Sequence, residues 1–352
     1  FKKQNMKKKS LSAKKIIHNK LLINLKNPLI YKIYKSFNSF VKLNLNNSNF
    51  SVAISGGADS LALAYFSKCY SIYNNVKVKY YHVDHKLRAE SSLEAKKLKN
   101  LLKKFDINCK ILKWTGKKPD SNVQSEARSK RYNLIYNQCV KDKINSILVA
   151  HHIDDVYENF VIRLLRGSGL KGLVSFSKVK SNYNEKLKIL RPLISFKKED
   201  LNIISKYVFK FNFEDPSNKN INFKRIRIRN LINNLKSEGL DLDKLKLTIK
   251  NLSESNFTID FYVNQNIQNN SRLHKVKKYY ILNNKFFNQP YEIVFRSLAY
   301  ILKKVGNKYY PPRGKSIDQL LFKFRSGEVK KINISGCIME KISNSFIIYG
   351  EK

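Results

Sequence analysis

The chain has 352 residues, 42% of them hydrophobic, and a formal net charge of +43. That length suffices for two or three domains with a sizeable core, and the composition is that of a globular chain rather than a disordered tail. A cationic excess this large implies a polyanionic partner, nucleic acid before an anionic membrane surface, because each phosphate contact releases condensed counterions. Drift under a compositional bias toward Lys, Asn and Ile would leave part of the same excess. The four cysteines, Cys69, Cys109, Cys139 and Cys337, form no C-x-x-C pair, which excludes a zinc knuckle or a disulfide scaffold and fits a reducing compartment. No apolar run approaches the roughly 18 residues that cross a bilayer. The lysine-studded opening also lacks an apolar export core, so a cytoplasmic protein with no membrane partner is expected. Phe1 is not an ordinary translation start; the chain is expected to begin upstream or at Met6.

Residues 1–48 read as a basic, helical N-terminal extension. From about Asn49 short β-branched runs alternate with longer amphipathic stretches. The strand-like runs are Phe50–Ser55, Val76–His85, Cys109–Trp114, Ser146–His151 and Lys186–Ile194. The helix-like ones are Ser60–Ile72, Ser91–Phe105, Val123–Val140, Asp155–Arg166 and Lys198–Phe209. Alternation at this spacing means crossover connections, hence an α/β domain over residues 49–239: a doubly wound, Rossmann-like, five-stranded parallel sheet with helices on both faces. Residues 240–305 read as mostly helical, with helices at Leu240–Ile267 and Tyr291–Val305. Residues 306–352 read as a small β-rich region with strands around a Ser343-Asn344 turn.

In parallel sheets ligands bind beyond the carboxyl ends of the strands. Four of the six histidines, among them His85, His151 and His152, fall at the ends of the second and fourth strands, together with Asp84. After the first strand, "SGGADS" (Ser55, Gly56, Gly57, Ala58, Asp59, Ser60) breaks into glycines that tolerate positive φ, and a helix follows. Its first-turn N–H groups make an anion site, although a plain strand-to-helix turn has the same residues. The run is not G-x-x-x-x-G-K-[ST], so the Walker reading fails.

In "HHIDDVYENFVIRLLRG", about 100° per residue puts Asp155, Glu158 and Arg166 on one helix face, with Phe160 and Leu164 turned into a core. That carboxylate pair suits a magnesium ion or an ammonium group, and Arg166 a phosphate; a solvated charged face is the alternative. Arg128 and Arg131, three apart on one helix, can both face phosphates, for which the planar guanidinium is favoured. "KRIRIRN" alternates cations with isoleucines, as an edge strand with one wet face also does.

S-G-G-x-D-S resembles the pyrophosphatase (PP) loop of the N-type ATP pyrophosphatases, which split ATP between its α- and β-phosphates. "HVDHKLR", "EARSKRY", "AHHIDDVYENFVIRLLRGSGLKGL", "RPLI" and "EDPSNKNINFKRIRIRN" then follow in the order seen in tRNA(Ile)-lysidine synthetases. The likeness is close from Phe50 to about Leu235 and weaker in the tail. Where that family usually has D-D-Q-x-E-T, this chain keeps Asp154, Asp155 and Glu158 but has Val156 and Asn159.

The resemblance implies an ATP- and Mg2+-dependent ligase of tRNA modification. It would join L-lysine to the wobble cytidine of a tRNA(Ile) with a CAU anticodon, through an adenylated cytidine, giving lysidine, AMP and pyrophosphate. Ser55–Ser60 with Asp84 and His85 would bind ATP, Asp59 and Asp155 the metal, and Arg128, Arg131 and Arg166 the α-phosphate. Asp155, Glu158, His151 and His152 form the acid/base cluster, with the base left open. Arg225, Arg227 and Arg229 would meet tRNA after Asp215, Ser217 and Asn218, and residues 240–305 would link or bind it. Monomer and homodimer both stay open. The rivals are a PP-loop tRNA thiolase, a His/Asp metal-dependent phosphohydrolase and a non-enzymatic RNA-binding protein.

Overall fold

The computed structural model describes all residues except Phe1, 87–89, 116–122, 177–178, 183–186, 212–223, 275, 277–278, 309, 327–329 and Lys352. For 2–12, 123–125, 127–129, 179–182 and 325 it describes the backbone alone. Two compact units result, Phe1–Leu245 and Lys246–Lys352.

The first unit opens with α1 (Lys2–Ile23) and α2 (Pro28–Leu45). The Asn27 carboxamide caps α2 by accepting from Leu29 and Ile30 N–H, and Pro28 takes the first-turn position where no N–H is needed. There follow β1 (Phe50–Ala53), α3 (Ala58–Asn74), β2 (Val78–Asp84), α4 (Ser91–Lys103), β3 (Cys109–Lys113), α5 (Val123–Lys141) and β4 (Ser146–Leu148). Next come α6 (Ile153–Leu164), α7 (Leu170–Leu173), β5 (Val179–Asn182), β6 (Leu187–Leu190), α8 (Lys198–Phe209) and α9 (Lys224–Ser237). The strand order is β3-β2-β1-β4-β6-β5. The expected five strands, β3 to β6, are all parallel; β5, which the residue pattern did not announce, adds an antiparallel edge to β6.

Period-two alternation gives each strand two buried faces. Phe50, Val52, Tyr80, Leu148 and Leu190 face one core, built with α2, α3, α4 and α8. Tyr81, Val83, Ile147, Val149 and Ile189 face the other, with Ile135 and Cys139 of α5. Helix α3 is buried along most of its length. Leu21, Ile30, Ile33, Phe37 and Val41 from the first 48 residues pack into its core, so this segment is part of the domain's interior rather than an appendage.

"KRIRIRN" is not an edge strand. It opens α9, whose Ile228 and Ile232, four apart, are buried on one face.

Helix α10 (Leu242–Asn270) starts in the first unit and runs into the second. The second unit then has β7 (Ser271–His274), β8 (Tyr279–Asn283), α11 (Asn284–Phe287), α12 (Tyr291–Val305), α13 (Gly314–Arg325), β9 (Lys331–Ile334), β10 (Cys337–Ile342) and β11 (Ser345–Gly350). Its sheet is antiparallel, ordered β7-β8-β11-β10-β9. It thus joins strands from both C-terminal segments, 240–305 and 306–352, over one core with Leu298, Leu302, Ile317 and Leu321. The Ser343-Asn344 turn stands as expected: Ile342 pairs with Ser345, and Ser343 has φ 50°.

Candidate active site

The sheet changes direction between β1 and β4. From β1 the chain winds outward through β2 and β3; β4 and β6 lie on the other side. A crevice beyond the carboxyl ends of strands opens at such a switch point, and the chain places "SGGADS" after β1 and His151-His152 after β4.

The glycine loop is held by one hydroxyl. Ser60 Oγ accepts from Ser55 N (3.2 Å), Gly56 N (3.0 Å) and Ser55 Oγ (3.2 Å), and donates to the Gly57 carbonyl (2.8 Å). Gly56 has φ 101°, a conformation that a side chain would strain. Gly57 caps α3, so the first-turn N–H groups of that helix, without intrahelical acceptors, face the crevice end with its positive dipole.

Four acid/base candidates meet at this loop. The buried His152 ring has Nε2 3.6 Å from both Asp59 Oδ2 and Asp155 Oδ2, and Nδ1 3.2 Å from Asp154 Oδ2. Asp155 Oδ2 also accepts from His152 N–H (3.1 Å), capping α6. Asp154 Oδ2 accepts from Lys198 N–H (3.0 Å) at the start of α8. Burial disfavours the His152 cation, but Asp154, Asp155 and Asp59 together outweigh it and raise its pKa. Asp59 is pushed up by burial, against the pull of His152 and Lys198, and its Oδ1 is buried without a partner. Burial also works against the Asp154 carboxylate, yet His152 and the Lys198 amide hold it below the ordinary range.

One turn along α6, Glu158 accepts from Arg229 Nε of α9 at 2.5 Å. Burial raises the Glu158 pKa despite this cation, and Glu158 Oε2 stays unpartnered. Arg229, expected at tRNA, is therefore committed to the acid cluster. Arg225 and Arg227 are exposed on α9.

His151 takes another partner: Arg191 Nε, just past β6, donates to His151 Nδ1 (3.1 Å). On the β2 side, burial and the Arg131 cation push His85 down to about 4. The ring of His85 stands edge-on to Trp114.

Asp84 is engaged structurally. Its carboxylate accepts from Lys86 N–H, Ser91 Oγ and Ser92 Oγ at 3.0, 2.9 and 2.7 Å, fixing the turn into α4. These bonds overcome burial and lower its pKa.

Two expectations for α6 fail. The helix ends at Leu164, so Arg166 falls in the following turn, exposed, and does not share the face of Asp155 and Glu158. Leu164 is 56% exposed instead of buried; the apolar contacts are made by Val156, Phe160 and Val161. The side chain of Arg128 lies outside the described residues, as do Asp215, Ser217 and Asn218. Lys198 and Arg191 were missed: one lies in an ordinary lysine-rich stretch, and the other was quoted in "RPLI" without a role.

The PP-loop domain family model matches residues 27–236. The chain is 31% identical over 322 residues to the tRNA(Ile)-lysidine synthase of Orientia tsutsugamushi, covering 87% of this chain and 70% of that protein. The tRNA(Ile)-lysidine synthase of Rickettsia akari is 28% identical over 332 residues, with 91% and 74% covered.

The chain belongs to the tRNA(Ile)-lysidine synthase family.

It is accordingly an ATP-using enzyme of the ligase class. A solved U34-tRNA thiolase from Methanococcus maripaludis shares the fold, with TM-score 0.50 at 18% identity over 60% of this chain and 74% of that one. In this family member the thiols are buried and apart in three cores. Burial pushes Cys69 and Cys109 up to about 12 and Cys139 and Cys337 up to about 11, far from reactive thiolates.

Proposed function

We propose that the enzyme adenylates the 2-carbonyl oxygen of the wobble cytidine in a tRNA(Ile) with a CAU anticodon, releasing pyrophosphate, and then joins L-lysine to that carbon. The lysine amine attacks C2, the C2–O bond breaks, and AMP leaves with the oxygen. The observation that carries this reading is the gathering of Asp59, His152 and Asp155 at the PP loop, over the helix N-terminus suited to a leaving pyrophosphate.

Asp59 and Asp155 would hold the magnesium ion. Two carboxylates plus phosphate oxygens are the donors that Mg2+ favours, and the orphaned, buried Asp59 Oδ1 fits a cation. The ion would offset charge building on the pyrophosphate. Arg131, near His85, is placed for the nucleotide, with Arg128 one turn before it. Glu158, with its raised pKa, and Asp155 are the acceptors for the lysine ammonium and its proton.

Two rival readings lose support. A phosphohydrolase needs His and Asp converging on one metal, whereas His151 and His152 turn to different partners. Among the described residues no group of three or more His, Cys, Asp or Glu could hold a metal. That same finding, with buried thiols, disfavours the thiolase.

The test is a reaction with ATP, labelled lysine and a tRNA(Ile) transcript. AMP and pyrophosphate should form only with tRNA present, and label should enter the tRNA. Asp59→Asn should lose both products. Release of ADP, or full activity of that variant, contradicts the proposal.

A further inference from the structure

The bond between Arg191 and His151 decides what His151 can do. A guanidinium N–H only donates, so the His151 Nδ1 that receives Arg191 Nε–H at 3.1 Å must offer its lone pair. The imidazole proton then sits on Nε2. A second proton on Nδ1 would break this bond and set two cations against each other. The arrangement is rigid. Arg191 is only 4% exposed, and its guanidinium lies 4.8 Å above the Phe176 ring. The same ring meets His151 edge-on, with centroids 4.9 Å apart and planes at 74°. The backbone adds to this: Val149 N–H donates to the Leu190 carbonyl (3.0 Å), tying the end of β4 to the end of β6 just before the two side chains meet.

We propose that Arg191 is a positioning residue that locks His151 as a neutral imidazole with its proton on Nε2. His151 thereby serves as a fixed hydrogen-bond donor to an anionic phosphoryl oxygen of the substrate, not as the base that takes the proton of lysine. The N–H bond of His151 stays intact through both half-reactions, and the ammonium proton leaves to the Asp155–Glu158 side. The donor role rests on the proposed two-step reaction; the tautomer does not. The neighbouring His152, among three carboxylates, illustrates the contrast: adjacent residues of the same type are given opposite charge environments by different strands.

Gln and Ala at position 151 separate the two roles. A glutamine amide places an N–H donor near the position of Nε2 but cannot act as a base at neutral pH; alanine does neither. His151→Gln should keep lysidine formation within about tenfold of the unaltered enzyme, while His151→Ala should lose about 100-fold or more, the usual cost of removing an oxyanion donor. Long-range 1H–15N spectra of histidine-labelled enzyme should show His151 protonated at Nε2 alone at neutral pH. In Arg191→Met, which cannot donate, they should show loss of that single form. A proton on Nδ1 in the unaltered enzyme, or His151→Gln no more active than His151→Ala, overturns the proposal. If the unaltered enzyme incorporates no lysine, the reaction assignment falls, and the spectrum still decides the tautomer.

Discussion

Glu158 is 3% exposed, and a single cation, Arg229, stands against the cost of burying its charge. Replacing Arg229 with Gln should destabilise the fold by about 1–3 kcal/mol at neutral pH, because a buried charged acceptor loses its charged partner. The sign with pH follows from the direction of the shift. Without Arg229 the folded pKa of Glu158 rises further above its unfolded value, so the penalty is greatest when the carboxylate should be ionised. It should shrink as pH falls toward about 4, where the unfolded carboxyl also takes up a proton. Urea midpoints at the two pH values measure this, and an equal loss at both would contradict it.

His85 offers a second titration, on the other side of the crevice. Burial, then Arg131, then His82 hold its pKa down to about 4. An NMR titration should place its midpoint well below the ordinary imidazole value of about 6.5, and Arg131→Gln should move it upward. Because the depressed group is a base kept neutral in the fold, the unfolded chain binds the extra proton first. His85 therefore costs stability as pH falls from about 6.5 toward its folded value. A midpoint unchanged by the Arg131 substitution would separate this arginine from the nucleotide side of the site.

At the scale of elements, α2 and α6 show how far periodicity alone reaches. In α2 the apolar positions Ile30, Ile33, Phe37 and Val41 recur at helical spacing and are all buried. Phe37, at 0% exposure, meets Tyr34, Phe66 and Tyr70. Phe37→Ala should cost about 3–5 kcal/mol in unfolding free energy, the price of a cavity in a packed aromatic cluster. In α6, extrapolating the face to Leu164 and Arg166 overran the helix end, where the chain turns through Gly167 at φ 63°. Leu164→Ala should accordingly change stability by about 0.5 kcal/mol or less. If Leu164→Ala proves as costly as Phe37→Ala, the described end of α6 is wrong. Helix α9 is the complementary case: "KRIRIRN" alternates as a strand does, but Ile228 and Ile232 at i, i+4 let the same residues bury one helix face, and the packing of α9 on α6 selects that form.

For the whole molecule, the net charge of +43 has a phosphate backbone as its natural counterpart. With six to ten phosphate contacts, tRNA affinity should fall by about a thousandfold or more between 50 and 200 mM salt. Arg225→Ala and Arg227→Ala, exposed on α9, should each reduce the salt slope by about one. Filter binding across a salt series measures both, and a flat slope would make the lysine excess compositional. Among the described residues no helix is long and apolar enough to cross a membrane.

The order of strands and helices from β1 to α8 was legible in the residues, because a doubly wound sheet writes its crossovers into the chain as alternating periods. The glycine loop was legible too, since positive φ and a helix start demand particular residues in succession. So was the Ser343-Asn344 turn. Three features were decided only by tertiary structure. The N-terminal helices joined the core because α3 exposes apolar surface that strand pairing leaves uncovered. The C-terminal segments merged because β8 needed β11 as its hydrogen-bonding neighbour. The pairings of Glu158 with Arg229 and of His151 with Arg191 link residues 71 and 40 positions apart. Local pattern carries propensity and period over one element; which charge meets which histidine depends on how separate strands and helices end side by side, and that is a property of the packed chain.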